Sequence, residues 1–398
     1  MKKGWPTKRL GEVCQFRGGG TPSKAVERYW LGDIPWVSPK DMKFDVVSDS
    51  IDHISQEAID GSATSLIPKD SVLMVVRSGI LARIVPIAIT GRELTINQDL
   101  KALCPNGAMD ARFLYHLLDS KMELLLSMVS RGATVHRLMT DQIRDIDFVL
   151  PPLAEQQRIV GLLDDAFEGL ATAKANAEKN LQNARALFES HLQSVFTQRG
   201  PGWVEKTIGE VCDFRGGGTP SKAVEHYWKG KIPWVSPKDM KSEIVSDTID
   251  HISQEAIDGS ATSLIPHGAV LMVVRSGILA RIVPLAVTGR ELTINQDLKA
   301  LCPKNVIESR FLYSLLESKM PELTSLVSRG ATVHRLQTEQ IRSLAISIPP
   351  KAAQQQIIKR IDSMREETQR LARLYERKHA ALEALKKSLL HQAFTGEL

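Results

Sequence analysis

The chain has 398 residues, 43% hydrophobic and 24% charged, with a formal net charge of +5 and a pI near 8.9. That is a globular composition with room for two or three domains, and its mild basicity is compatible with nucleic acid without arguing for it alone. No stretch approaches the ~20 apolar residues that span a bilayer, no signal-type core follows Met1, and the four scattered cysteines (Cys14, Cys104, Cys212, Cys302) read as reduced thiols of a cytoplasmic protein.

In chain order, the first predicted element is a tight turn at Arg17-Gly18-Gly19-Gly20-Thr21-Pro22-Ser23-Lys24. Ser71–Val76 predicts a buried strand, Ala82–Ile89 an edge or irregular strand because of Pro86, and Glu93–Leu103 a further strand. A helix is predicted from Asp110, as cap, through Met128, with Phe113, Leu114, Leu117, Leu118 and Leu124 on its apolar face. The basic loop Ser130–Leu138 follows, then a short strand ending at Pro151-Pro152. From Leu153 to Thr197 there is no proline, and Val160, Leu163, Phe167, Leu170, Ala177, Leu181, Ala184 and Phe188 recur at helical spacing. Such a helix would be roughly 65 Å long at ~1.5 Å per residue.

Everything then repeats. Arg17–Lys24 returns as Arg215–Lys222, and the same offset carries Trp36 to Trp234, Asn97 to Asn295, His136 to His334 and Phe196 to Phe394 without a gap. A period this long is a duplicated domain rather than a solenoid. The second long helix carries Ile357, Ile361, Met364, Leu371, Tyr375, Leu382, Leu385 and Leu389 in threes and fours, the seam of a coiled coil interrupted by Lys378. An isolated helix of this kind would expose its stripe to water, so the two should pair with each other in antiparallel fashion. Leu371 and Leu385 are expected in the seam. Leu162, Phe196 and Phe394 lie off it and are candidates for an outward docking surface. The fold expected is α+β: two tandem mixed α/β domains (1–152 and 199–350), each followed by a long helix (153–198 and 351–398), the helices forming an antiparallel coiled coil with pseudo-two-fold symmetry.

No catalytic constellation emerges. A phosphate-binding P-loop needs Gly before the Lys and Ser or Thr after it, whereas Ser23 precedes Lys24 and Ala25 follows. The Pro-Pro pairs at Pro151 and Pro349 lack the flanking residues of an amino-methyltransferase motif and read as helix starts. His53 and His251 adjoin Asp52 and Asp250, but neighbouring residues point apart and make no evident dyad. His136 and His334 sit among arginines, which favours neutral imidazole and hydrogen bonding over a general base. No carboxylate cluster of the nuclease kind is visible.

The basic loops are the stronger signal. Arg17, Ser23, Lys24, Lys40, Arg77, Ser78, Arg83, Arg131, Thr134, His136 and Arg137 lie in or beside turns. Their mates are Arg215, Ser221, Lys222, Lys238, Arg275, Ser276, Arg281, Arg329, Thr332, His334 and Arg335. Such groups neutralise phosphates and read base edges, with Asn97 and Gln98 available beside them.

The strings Gly19–Ser23, Tyr29-Trp30, Ile34-Pro35-Trp36-Val37, Asp41, Ile96-Asn97-Gln98 and Leu150–Gln157 resemble the specificity subunit of type I restriction–modification systems, and the resemblance covers the whole chain. In the second copy Leu150 becomes Ile348, Leu153 becomes Lys351 and Glu155 becomes Ala353. The resemblance implies a non-catalytic subunit that reads double-stranded DNA and gathers two methyltransferase subunits and, in the full enzyme, two motor-nuclease subunits. S-adenosylmethionine, ATP and magnesium would be bound by those partners and not by this chain. A free-standing regulator would also carry two readers on a spacer; an assembly subunit should in addition carry docking surface on its helices. Because the reading loops are the same in both copies, the expected target is a palindrome of two half-sites around a non-specific gap, and a fragment ending near Gly200 is expected to dimerise.

Overall fold

The computed structural model describes residues 5–398. It divides into two compact units, one running to Ala177 and joined by Glu376–Leu398, the other comprising Glu178–Tyr375. Each unit therefore holds one globule and a stretch of both long helices, Leu153–Thr197 and Lys351–Thr395.

The strands of the first globule are β1 (Thr7–Arg9), β2 (Cys14–Gly18), β3 (Ile34–Val37), β4 (Val46–Val47), β5 (Asp52–Ile54), β6 (Val72–Val75), β7 (Arg77–Ser78), β8 (Ile87–Thr90), β9 (Thr95–Ile96), β10 (Leu100–Pro105), β11 (His136–Arg137) and β12 (Asp147–Val149). Its main sheet runs β2-β10-β6-β8-β4, and all four residues of the central β6 are wholly buried. A run of Val, Leu and Met without alternation belongs in such a position, covered on both faces. A second sheet, β5-β3-β9, packs Trp36, Ile54 and Ala58 against Tyr29 and Trp30 in a small separate cluster. The second globule repeats both sheets, with Val270–Val273 central in the larger one.

Several expected elements are shorter than the sequence suggests. Glu93–Leu103 is two strands, because Asn97–Asp99 turns between β9 and β10 with Leu100 N–H on the Asn97 carbonyl. Ala82–Ile89 is a 3-10 turn (Gly79–Ala82) followed by β8; Pro86, just outside that strand, still accepts from Val75 N–H. The helix capped by Asp110, whose carboxylate accepts from the N–H of Arg112 and Phe113, stops at Ser120, and a second helix covers Met122–Ser127.

The long helices are held to the globules by their first turns and by their faces. Gln156 is fully buried; it accepts from Asp110 N–H at 2.8 Å and donates to the carbonyls of Ala108 (2.9 Å) and Pro151 (2.8 Å). Gln354 makes the same three bonds to Glu308, Val306 and Pro349. Within each unit the helices run antiparallel. In the first unit Phe167 lies against Lys386, Lys174 against Glu383 and Arg158 against the Leu398 carbonyl. In the second unit Phe188 lies against Arg365, while Phe196, Ile357 and Ile358 pack on the globule's core.

Two expectations about these helices are corrected. Leu385 is 48% exposed; the seam passes through Leu382, Lys386 and Leu389, because the half-buried Lys386 sets its ammonium over the Phe167 ring and against Asp119. Phe196 and Phe394 do not face outward. They pack on Phe311 and Phe113, at centroid distances of 5.3 and 5.1 Å, and join helix to globule. Leu162 is exposed, as are Leu187 and Leu374.

Candidate nucleic-acid interface

Two pieces of chain far apart in sequence build a small basic platform. β7 and β11 pair antiparallel, setting His136 opposite Ser78 and Arg137 opposite Arg77. The loop between Ser130 and Arg137 is closed by backbone bonds of 2.8 and 3.0 Å and leaves Arg131, Thr134 and Val135 exposed at its tip. Gly132 is needed in that tip, since a Cβ there would come within 2.4 Å of the Val135 carbonyl oxygen. Beside it the 3-10 turn Gly79–Ala82, capped by the Ser78 hydroxyl accepting from Ile80 N–H, presents Ile80, Arg83 and Ile84 to solvent. Arg77, Ser78, Arg83, Arg131, Thr134, His136 and Arg137 are thus brought into one region. The second unit repeats it, with Ser276 opposite His334 and Arg275 opposite Arg335, and with Arg281, Arg329 and Thr332 in the matching turns.

The platform leans on a turn that the loop residues alone do not reveal. Asp99 accepts the Val76 and Arg77 N–H groups on its backbone carbonyl, and its carboxylate lies 3.7 Å from the Arg77 guanidinium. In the second unit Asp297 sits 2.8 Å from Arg275. These carboxylates orient the arginine and are paired to Asn97 and Asn295 in turn. The sequence does carry a signal, an Asn two residues before an Asp, but nothing local ties it to Arg77.

The Gly-rich loop is a second cluster joined through the same turn. Gly19 lies so close to the Ile96 carbonyl that an added Cβ would fall 1.9 Å from its oxygen, and Gly20 N–H donates to the same carbonyl. The Gly20 carbonyl accepts from the indole of Trp36 and the hydroxyl of Thr64, both at 2.9 Å, and Thr21 donates to the Gln98 side chain. The loop therefore forms a fixed edge rather than a phosphate cradle. At its end Ser23 and Lys24 are exposed, with the Ser23 carbonyl taking the Trp30 indole N–H and the Lys24 ammonium 6.0 Å from that ring. Ser221 and Lys222 are also exposed, and Trp228 bonds Ser221 likewise.

Besides Arg77 and Arg275, two further candidate cations in each unit are already engaged. Arg17 donates to the Leu66 carbonyl and to Gln15, and Arg215 to the Leu264 carbonyl. Lys40 and Lys238 each sit 2.7 Å from a carboxylate, Asp52 and Asp250, a hydrogen bond that raises both ammonium pKa values. His53 and His251 bond Asp49 and Asp247 instead of forming a dyad with the adjacent Asp52 and Asp250. The Nδ1 atoms of His136 and His334 are buried and have no hydrogen-bond partner among the described residues, in contrast to the bonding expected of them. All four cysteines are buried thiols, and desolvation pushes Cys14 and Cys212 up to about 12. Among the described residues no group of His, Cys, Asp and Glu could hold a metal ion, and no helix is long and apolar enough to cross a membrane.

A duplicated α/β globule with an exposed Arg, Ser, Thr and His platform, followed each time by a long helix, defines a tandem recognition protein. The model of the type I restriction modification DNA specificity domain matches residues 2–181 and again 201–376, and the chain belongs to that family, a recognition rather than a catalytic class. It is 35% identical over 212 residues to the EcoR124I/EcoR124II specificity subunit of Escherichia coli, a match covering 53% of this chain and 52% of that one, about half its length. It is 24% identical over 373 residues to the MjaIX specificity subunit of Methanocaldococcus jannaschii, covering 88% of this chain and 84% of the relative. A chain from a structural study of complex assembly and conformational transition of the type I R-M system superposes with a TM-score of 0.81 at 20% identity, over 100% of this chain and 99% of that one. The HsdS subunit from Thermoanaerobacter tengcongensis gives 0.63 at 20% identity, over 100% and 98%. These two likenesses speak for the fold.

Proposed function

We propose that the chain reads a bipartite, palindromic site on double-stranded DNA and carries the methyltransferase subunits of a type I restriction–modification complex. The observation that carries this reading is the repetition of one platform: Arg77, Ser78, Arg131, Thr134, His136 and Arg137 recur as Arg275, Ser276, Arg329, Thr332, His334 and Arg335 on the same paired strands. Equal readers prefer equal half-sites, and antiparallel helices favour an inverted rather than a direct arrangement. In this reading residues 1–152 and 199–350 are the reading domains, and 153–198 and 351–398 the spacer helices. The exposed Arg131 and Arg137 supply donors for base edges, and Ile80, Ile84 and Val135 supply apolar contacts of the kind that suit a thymine methyl. Ser23, Lys24, Ser221 and Lys222 serve the phosphates, while Arg17, Lys40 and their mates mainly brace the reading surface. Two methyltransferase and two motor-nuclease subunits would supply S-adenosylmethionine, ATP and magnesium chemistry in the cytoplasm.

Methylome sequencing of a host carrying this chain with its partners tests the reading. The expected product is methylation of a short half-site and its reverse complement across a fixed gap. Two unrelated half-sites, or a direct repeat, would overturn it. Adding one turn to both long helices moves the domains by ~5.4 Å and should lengthen the gap by about one to two base pairs.

A further inference from the structure

The two units meet their long helices through the same positions but with the chemistry exchanged. In the first unit the aromatic comes from the first helix and the cation from the second: Lys386 lies 5.1 Å from the Phe167 ring and 3.0 Å from Asp119 of the globule. In the second unit the residue equivalent to Phe167 is Arg365 and the residue equivalent to Lys386 is Phe188. Arg365 lies 5.0 Å from the Phe188 ring and forms a bidentate pair with Glu317, at 2.6 and 3.1 Å. Consequently the first helix supplies the aromatic in both units and the second helix supplies the cation in both. The globule supplies the acidic partner each time: Asp119 in the first unit, and Glu317 together with Glu243, at 3.4 Å, in the second.

We infer that the two long helices are a matched heterotypic pair, whose aromatic and cationic positions select the partner helix against a second copy of either one. The consequences of mispairing follow from the equivalence of the two copies. A second copy of the second helix, laid in the second unit where the first now lies, would bring Lys386 against Arg365 in place of Phe188. Two cations would then share the site of one cation–π contact, and like-charge juxtaposition is among the strongest penalties available to an interface. A second copy of the first helix in the first unit would remove the cation beside Asp119. It would also set Arg185 where Glu383 now meets Lys174 at 2.8 Å, and Glu189 where Lys387 now meets Glu123 at 3.1 Å. Both homotypic pairs therefore trade attraction for repulsion, which is specificity by exclusion. The expectation that a fragment ending near Gly200 dimerises through its helix has to contend with these positions.

The molecule also supplies the test, because each unit demonstrates an arrangement the other could adopt. In the double variant Phe167→Arg with Lys386→Phe, the first unit takes the arrangement of the second. The substituted first helix then complements the Phe188 of its own copy, and the substituted second helix complements the Arg365 of its own copy. Both helices become self-complementary at these positions. A specific protease site inserted at Gly200 of the full chain allows the intact folded protein to be cut between the first long helix and the second globule. Native mass spectrometry after exchange in mild denaturant and return to buffer then counts the pairs. Cut wild type should remain the heterotypic pair, with homotypic pairs suppressed about tenfold or more. The cut double variant should shift measurably toward homotypic pairs, stopping short of the statistical mixture because Lys174 still meets Arg185 and Glu123 still meets Glu189 in the first-helix pair, while its uncut form melts close to wild type. The single variant Phe167→Arg, which faces Lys386, should lose stability that the second substitution restores. If the double variant does not fold, Phe188→Lys with Arg365→Phe performs the mirror exchange in the second unit. Free scrambling of cut wild type, or a folded exchanged variant that stays as heterotypic as wild type, would overturn the inference.

Discussion

Replacing Gln156 with alanine removes the side chain that fastens the first long helix to its globule. Three backbone groups lose their partner at once: the carbonyl of the buried Pro151, and the part-buried Asp110 N–H and Ala108 carbonyl. Each unsatisfied buried group costs about 1–3 kcal/mol, and allowing for water entering the space left behind gives about 3–5 kcal/mol for the substitution. With a urea m-value of about 1–3 kcal/mol/M, the transition of the first unit should move down by roughly 1–3 M. The assay is a urea titration followed by circular dichroism, read as two transitions because the chain holds two compact units. Gln157→Ala is the control: its side chain is exposed and should change stability by less than ~0.5 kcal/mol. Gln156→Glu adds a sign. Its carboxylate would face two carbonyl oxygens, so the loss should be largest near neutral pH and shrink as acid protonates the group. Coincident unfolding of Gln156→Ala and Gln157→Ala would refute the reasoning.

Further outcomes are expected elsewhere in the molecule. His116 is buried, and its desolvation, which outweighs the hydrogen bond to Asp164 with Asp119 and Arg112 nearby, lowers its pKa from 6.5. The unfolded chain binds that proton more readily, so the first unit should lose stability as pH falls below about 6.5, and His116→Ser, the residue the second unit has at Ser314, should flatten that slope in thermal melts. Leu385→Ser should leave the melting temperature nearly unchanged because that side chain is exposed, whereas the half-buried Leu371→Ser should lower it; equal effects would contradict the seam through Leu382, Lys386 and Leu389. Alanine at both Arg131 and Arg329 should cost about 1–3 kcal/mol of DNA binding per half-site and relax specificity, while Lys24→Ala with Lys222→Ala should weaken all sequences alike and reduce the salt slope, as measured by titration on matched and mismatched duplexes.

The duplication, the two long helices and the mixed globules are legible in the sequence because each leaves a long signal: an ungapped offset, a helical period without proline, and short buried apolar runs. What the sequence hides is non-local or degenerate. The platform depends on pairing residues 77–78 with 136–137, and no periodicity records that register. Sequence spacing misplaces Leu385 because threes and fours admit two neighbouring seams, and a lysine whose ammonium meets an aromatic ring can hold a seam position as a leucine does. Phe196 and Phe394 look outward on a helical wheel, which cannot see the globule that covers them. Gln156 is only one letter of a string in the sequence; its three bonds explain why a glutamine stands there.

The clamped turn at Gly19 and Gly20 bears on how such a molecule can change what it binds. Its backbone is wedged against Ile96 and tied to Trp36 and Thr64, so the loop's path is set before any DNA arrives and little ordering entropy is left for binding to consume. The tip at Arg131, Thr134 and Val135 carries no comparable fastening of its side chains. Frame and tip are thus fastened to different degrees: under the proposed assignment, substitutions at the exposed tip would alter the sequence read without displacing the Gly19 wedge, whereas any side chain at position 19 would dislodge the mount for every sequence at once. Since each half of the chain has its own mount, one tip can be altered while the other is left as it is, and on the proposed reading a symmetric reader would become an asymmetric one in a few substitutions.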